Sequence, residues 1–81
     1  MKKEHKVLLY KTFSCPWCKK AAEFFKENKV KFKEIYVDKD HKAAQEMIKK
    51  SGQMGVPVID IDGQIIVGYD VDSIKKALGM K

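Results

Sequence analysis

With 81 residues the chain has room for one domain and one modest core, near the lower end of what folds unaided. Hydrophobic residues make up 44% of it and fall in short patterned runs, which points to a packed globule; no apolar stretch approaches the ~18–20 residues needed to cross a bilayer. The net charge of +6 comes from 17 lysines set against 11 acids, scattered from Lys2 to Lys81 with no arginine for bidentate phosphate contacts, so a solvated surface is expected rather than a nucleic-acid interface.

The lead-in Met1-Lys2-Lys3-Glu4-His5-Lys6 is basic, but the apolar stretch after it is too short for a secretory leader and no small-residue cleavage site follows. A cytoplasmic protein is expected. Val7 to Tyr10 is nearly all apolar, as suits a central strand covered on both faces. From Pro16 to about Asn28, the residues Cys18, Ala21, Ala22 and Phe25 recur at i, i+3, i+4, i+7, one helical stripe facing a core. Residues 30–37 read as a second strand. Asp38 or Asp40 can cap the next helix, with Ala44, Met47 and Ile48 inward and Ser51-Gly52 at its end. Val58–Ile61 and Gln64–Val67, joined by Asp62-Gly63, predict a tight hairpin. A last helix starts at Asp70 or Asp72, turns Val71, Ile74 and Leu78 inward, and closes at Gly79.

This order makes strands one and two parallel through a crossover, and strands three and four antiparallel. The expectation is one domain over residues 1–81, a three-layer α/β/α sandwich on a four-stranded mixed sheet.

The two cysteines stand three positions apart in Cys15-Pro16-Trp17-Cys18. A bridge between them closes too short a loop to staple a fold, so redox or metal chemistry is the better use of the pair. Pro16 suits the first helical position, which puts Cys15 at a helix N-terminus facing free amide donors. Those donors favour the thiolate, and Cys15 is expected to be the low-pKa nucleophile. Cys18, one turn on at the head of the buried stripe, is expected to be protected and less ionised. An i, i+3 pair has Cα atoms about 5–6 Å apart, within reach of a disulfide. A single-chain zinc site lacks ligands, since only His5 and His41 supplement the cysteines. A dimer holding a metal or iron–sulfur cluster through Cys15 is the rival reading. Trp17, beside both cysteines, is expected to be exposed; Phe13 and Met54 suit the rim of the site or the core equally, and Lys19 and Lys20 suit either the site's potential or a solvated helix face. From the residues alone, Pro57 is open to either a cis or a trans peptide bond.

Three segments together, Cys15-Pro16-Trp17-Cys18, Gly55-Val56-Pro57 and Val67-Gly68-Tyr69-Asp70, resemble the glutaredoxins, and more closely the bacterial glutaredoxin-like proteins related to the ribonucleotide-reductase-linked redoxins. The resemblance covers nearly the whole chain. It implies a thioredoxin fold in which Pro57 is cis and packs beside the dithiol, with the Val56 backbone pairing to an extended substrate or to glutathione. It also implies close backbone approach at Gly68, an Asp70 that holds a glutathione α-amino group, and Lys11, Thr12 and Tyr69 on the substrate side. Some positions depart from the family pattern. Thr12 stands where many members have a lysine, with Lys11 one place earlier; Gly55 replaces a usual threonine, and Val67 the first of two glycines. Each departure touches a glutathione contact and leaves the dithiol intact. The implied activity is thiol–disulfide exchange on protein or glutathione-mixed disulfides, without a tightly bound cofactor. Glutathione is the implied co-substrate, or thioredoxin reductase the electron donor, with ribonucleotide reductase among the partners. A monomer with no nucleic-acid or membrane partner is expected.

Overall fold

The computed structural model describes residues 5–79. Its elements, in chain order, are β1 (Val7–Lys11), α1 (Pro16–Glu27), β2 (Lys33–Tyr36), α2 (His41–Ser51), β3 (Val58–Ile61), β4 (Gln64–Val67) and α3 (Val71–Leu78). The sheet order is β2-β1-β3-β4. β1 runs parallel to β2 and antiparallel to β3, with Tyr10 opposite Val58 and Lys11 opposite Tyr36. β3 and β4 form the expected hairpin, and Asp62 and Gly63 both take positive φ, 52° and 92°, as a two-residue turn matched to strand twist requires.

Alternation along the strands divides the core in two. Leu9, Ile59, Ile61 and Ile66 meet Ala21, Phe25, Ile74 and Leu78 under α1 and α3. Tyr10 and Val58 point the other way, onto Ala43 and Met47 of α2. β3 is buried along its whole length because both of its faces are covered. The three-layer thioredoxin fold is as the residues foretold.

Two boundaries and one helix face differ from the sequence reading. The second strand starts at Lys33, not at residue 30. Lys29 turns into the left-handed region (φ 55°), the Val30 N–H donates to the Phe25 carbonyl at 2.8 Å, and Val30 and Phe32 pack on the α1 cluster before the chain joins the sheet. At the other end, β1 runs one residue further, to Lys11. On α2 the buried pair is Ala43 and Met47, with Ala44 and Ile48 only half-buried flanks. Asp40, rather than Asp38, caps that helix by accepting from the Ala43 N–H at 3.1 Å.

One acidic side chain, Asp60, enters the α2 face. Lys50 donates to its Oδ2 and to the Tyr10 hydroxyl, both at 2.8 Å, while Oδ1 accepts from the Gly63 N–H at 2.9 Å. Every buried polar side-chain atom among the described residues has a partner, as low-dielectric surroundings demand. No helix among them is long and apolar enough to cross a membrane.

The register gathers the remaining segments at one end of the sheet. Since Tyr10 faces Val58 and Val58 faces Val67, the chain leaving β1 runs beside the chain entering β3 and the chain leaving β4. Three loops therefore meet: 12–15, 52–57 and 68–70.

Candidate active site

Cys15 closes the first of these loops in an extended conformation (φ −97°, ψ 108°) as the N-cap of α1, and Pro16 opens the helix where its missing N–H costs nothing. The Cys15 Sγ accepts from the Cys18 N–H at 3.2 Å, taking the part a serine or aspartate oxygen plays at other helix starts. Cys15 is half-buried, whereas Cys18 is 0% exposed at the head of the stripe that continues through Ala21, Ala22 and Phe25. Burial pushes the Cys18 thiol up to about 12, helped by the hydrogen bond and charge of Cys15 and opposed by the Thr12 backbone and the Lys11 charge. The pair can thus offer one reachable sulfur next to a donor and one neutral thiol held in reserve.

The second loop brings Pro57, which is buried and joined to Val56 by a cis peptide bond. Val56 beside it is half-buried. The third loop is tied to the second by the Gly68 N–H, which donates to the Pro57 carbonyl at 2.8 Å. Glycine is needed at 68 for its φ of +83°; a Cβ there would meet open space, so no protein atom crowds it. Tyr69 lies half-buried between Trp17 and Phe24, ring centres 6.3 and 6.4 Å away. Trp17 is 55% exposed with the Lys20 ammonium 5.1 Å above its ring, and Phe13 and Met54 are 79% and 77% exposed. The rim is therefore aromatic and open to solvent.

The residues named on the substrate side divide into two groups. Gly68 and Tyr69 cluster with Pro57 and Trp17. Asp70, rather than Asp72, caps α3, its Oδ1 accepting from the Ser73 N–H at 3.3 Å and its Oδ2 from the Ser73 hydroxyl at 2.9 Å. Those two bonds hold its carboxyl below the usual range while it stays exposed. Lys11 is engaged across the strands: its ammonium is 2.6 Å from Glu34 Oε2 and 5.2 Å from the centre of the Tyr36 ring. Desolvation alone would lower its pKa, but the Glu34 bond and charge, aided by Tyr36, leave it raised. Thr12 is half-buried. Glu34 and Asp38, which accepts from the Phe13 N–H at 3.2 Å, were not foreseen, since nothing in β2's sequence reveals which β1 residue it faces.

Two shallow grooves flank the site. One of about 300 Å³ runs along α1 between Lys20, Glu23, Phe24, Glu27 and Tyr69; the other, about 350 Å³, lies between β4 and α3 and includes Asp70. Neither of these two grooves is lined by a cysteine. Among the described residues, no three of His, Cys, Asp and Glu gather as metal ligands.

Comparison with known proteins agrees with this geometry. The glutaredoxin family model matches residues 7–66, from β1 through β4. An uncharacterised glutaredoxin-like 8.6 kDa protein of the Clostridium pasteurianum rubredoxin operon is 44% identical over 72 residues, covering 89% of this chain and 96% of the relative. Glutaredoxin 3 of Escherichia coli is 39% identical over 64 residues, or 79% of this chain and 77% of that one. Among solved structures, the glutaredoxin of Archaeoglobus fulgidus superposes with a TM-score of 0.83 at 31% identity, covering 90% of this chain and 85% of that one. A family match running from the first strand through the dithiol to the hairpin, on a sheet that superposes on a solved relative, means that the chain belongs to the glutaredoxin family of thiol–disulfide oxidoreductases.

Proposed function

We propose that the protein reduces protein disulfides and glutathione-mixed disulfides through a Cys15/Cys18 cycle. The observation that carries this reading is the asymmetry of the two sulfurs. Cys15 Sγ caps a helix and accepts an N–H at 3.2 Å, while Cys18 is fully buried with its thiol pushed up to about 12. Cys15, the half-exposed sulfur at the start of α1, is the one a substrate can reach, so it supplies the attacking thiolate. Attack on a substrate disulfide forms a Cys15–substrate bond and expels the first thiolate, which takes a proton from water. Cys18 then gives up its proton, attacks the Cys15 sulfur, releases the second substrate thiol and leaves a Cys15–Cys18 disulfide. Two electrons have passed from the dithiol to the substrate.

Forming the mixed disulfide removes the Cys15 charge, one of the causes that hold Cys18 protonated, so the resolving thiol becomes easier to ionise at the step that needs it. Pro16 sets the helix start, while Trp17 and Tyr69 offer an aromatic platform. The backbone of Val56, next to Pro57, supplies main-chain groups to a substrate strand laid across the three loops. Gly68 leaves room for the same strand, and the exposed Asp70 carboxylate suits an ammonium of glutathione. A dithiol that must be kept reduced fits the cytoplasm.

The test pairs two donor systems with two variants. Oxidised protein is offered glutathione with glutathione reductase, or thioredoxin reductase, each with NADPH; turnover identifies the reductant. Cys18→Ser should trap mixed disulfides and still deglutathionylate, whereas Cys15→Ser should be inactive in both assays. Activity surviving in Cys15→Ser overturns the assignment.

A further inference from the structure

The chain carries +6 overall, yet the lysine nearest in sequence before the dithiol, Lys11, is neutralised by an acid of β2. Lys11 lies four residues before Cys15, at the end of β1, with its side chain only 12% exposed. Glu34 and Tyr36 alternate onto one face of β2, and the register that sets Lys11 opposite Tyr36 puts all three side chains together. Further along the same flank, Asp38 holds the Phe13 N–H and Lys39 sits 6.0 Å from the Phe13 ring. The one ion pair on this flank is Lys11 with Glu34. Lys11 matters to the dithiol, because its charge draws the Cys18 thiol down against burial.

We propose that Glu34 is a specificity-determining residue: by pairing with Lys11 it withdraws that ammonium from anionic disulfides, leaving substrate choice to the aromatic rim. The proposal rests on the dithiol reading given above and names what that site discriminates against. The exchange step is the same for any small disulfide: the Cys15 thiolate joins one sulfur, the substrate S–S bond breaks, and the departing thiolate takes a proton from water. Charge on the substrate takes no part in those bond changes. It acts on encounter and on how the mixed disulfide is held, where a single unmasked cation within about 7 Å changes a rate by roughly 3- to 10-fold at low salt.

Three disulfides separate charge from reactivity: oxidised glutathione (anionic), bis(2-hydroxyethyl) disulfide (neutral) and cystamine (cationic). Each is mixed with reduced protein in stopped flow, and the rate is read from the emission of Trp17, the only tryptophan. In Glu34→Gln the glutathione-to-neutral rate ratio should rise by roughly 3- to 10-fold at about 20 mM salt and return to the wild-type ratio near 1 M. The cystamine-to-neutral ratio should fall. Lys11→Met, which leaves Glu34 unpaired, should move both ratios the opposite way. The Lys11→Met/Glu34→Gln double variant, with the wild-type charge sum, should restore them. An unchanged glutathione ratio in Glu34→Gln, or equal changes for glutathione and cystamine, overturns the proposal. Failure of the wild type to reduce even the neutral disulfide takes down the dithiol reading and this proposal with it.

Discussion

Alkylation of the reduced protein by iodoacetamide tests the asymmetry of the two sulfurs directly. The reagent reacts with thiolates, so the rate at a given pH follows the ionised fraction and the access to the sulfur. Cys18 has its thiol pushed from 9.0 to about 12 and is 0% exposed. Near pH 8 its thiolate is therefore roughly a thousandfold rarer than that of an ordinary cysteine, before access is considered. Peptide mapping by mass spectrometry should find the first adduct on Cys15 alone, with Cys18 following at least ~100-fold more slowly. In Cys15→Ser the charge of Cys15 is gone and a hydroxyl takes the place of its sulfur, but burial, the largest cause, persists. Cys18 should then react faster than in the wild type and still well below its rate in guanidinium. Equal labelling of both thiols in the folded wild type, or a folded Cys15→Ser that reacts at the unfolded rate, refutes the reasoning. The same shift fixes a sign for stability. The unfolded chain ionises Cys18 near 9.0 while the folded one waits until about 12, so its contribution is fully present below 9.0 and is lost as pH climbs through that window. Thermal melts of reduced wild type and Cys18→Ala should diverge below that window and converge above it.

Two further predictions concern the core. Phe25 is fully buried between Phe24 and Phe32, with ring centres 6.0 and 5.2 Å away, so Phe25→Ala should cost about 3–5 kcal/mol in urea unfolding. For a domain of this size that is a large part of the whole, and a loss under about 1 kcal/mol would mean the cluster is not packed as described. Lys50→Met leaves the Asp60 carboxylate, 12% exposed, with only the Gly63 N–H, and should cost about 1–3 kcal/mol, tempered by the partial exposure of Lys50. Adding Asp60→Asn to Lys50→Met should recover part of that loss, since no buried charge is then left unpaired; a further drop would argue that the charge was never the cost.

The parts legible in the sequence were those coded over a few residues. The Cys15-Pro16 start of α1, its Cys18-to-Phe25 stripe, the Asp-Gly hairpin turn and the glycine ends of α2 and α3 all follow from local geometry, and each stands where it was expected. The sequence offers two caps for each of α2 and α3, since Asp38 and Asp40, or Asp70 and Asp72, present the same oxygen; which one serves depends on where the preceding strand lets go. The second strand reads longer in the sequence than in the fold because an apolar residue looks alike in a sheet and in a loop packed on a helix. Val30 and Phe32 are the second kind.

Sequence alone thus settled the spacing of the two cysteines, the order of elements and the senses of the β1–β2 and β3–β4 pairs, because each depends on backbone preference, on one crossover or on one hairpin. Only the folded sheet decided that β1 lies between β2 and β3, that three loops distant in sequence share one end of the sheet, and that Lys11 is held by Glu34. Such pairings join residues more than twenty positions apart, and a strand carries no mark of its neighbour's register until both are packed against the same core.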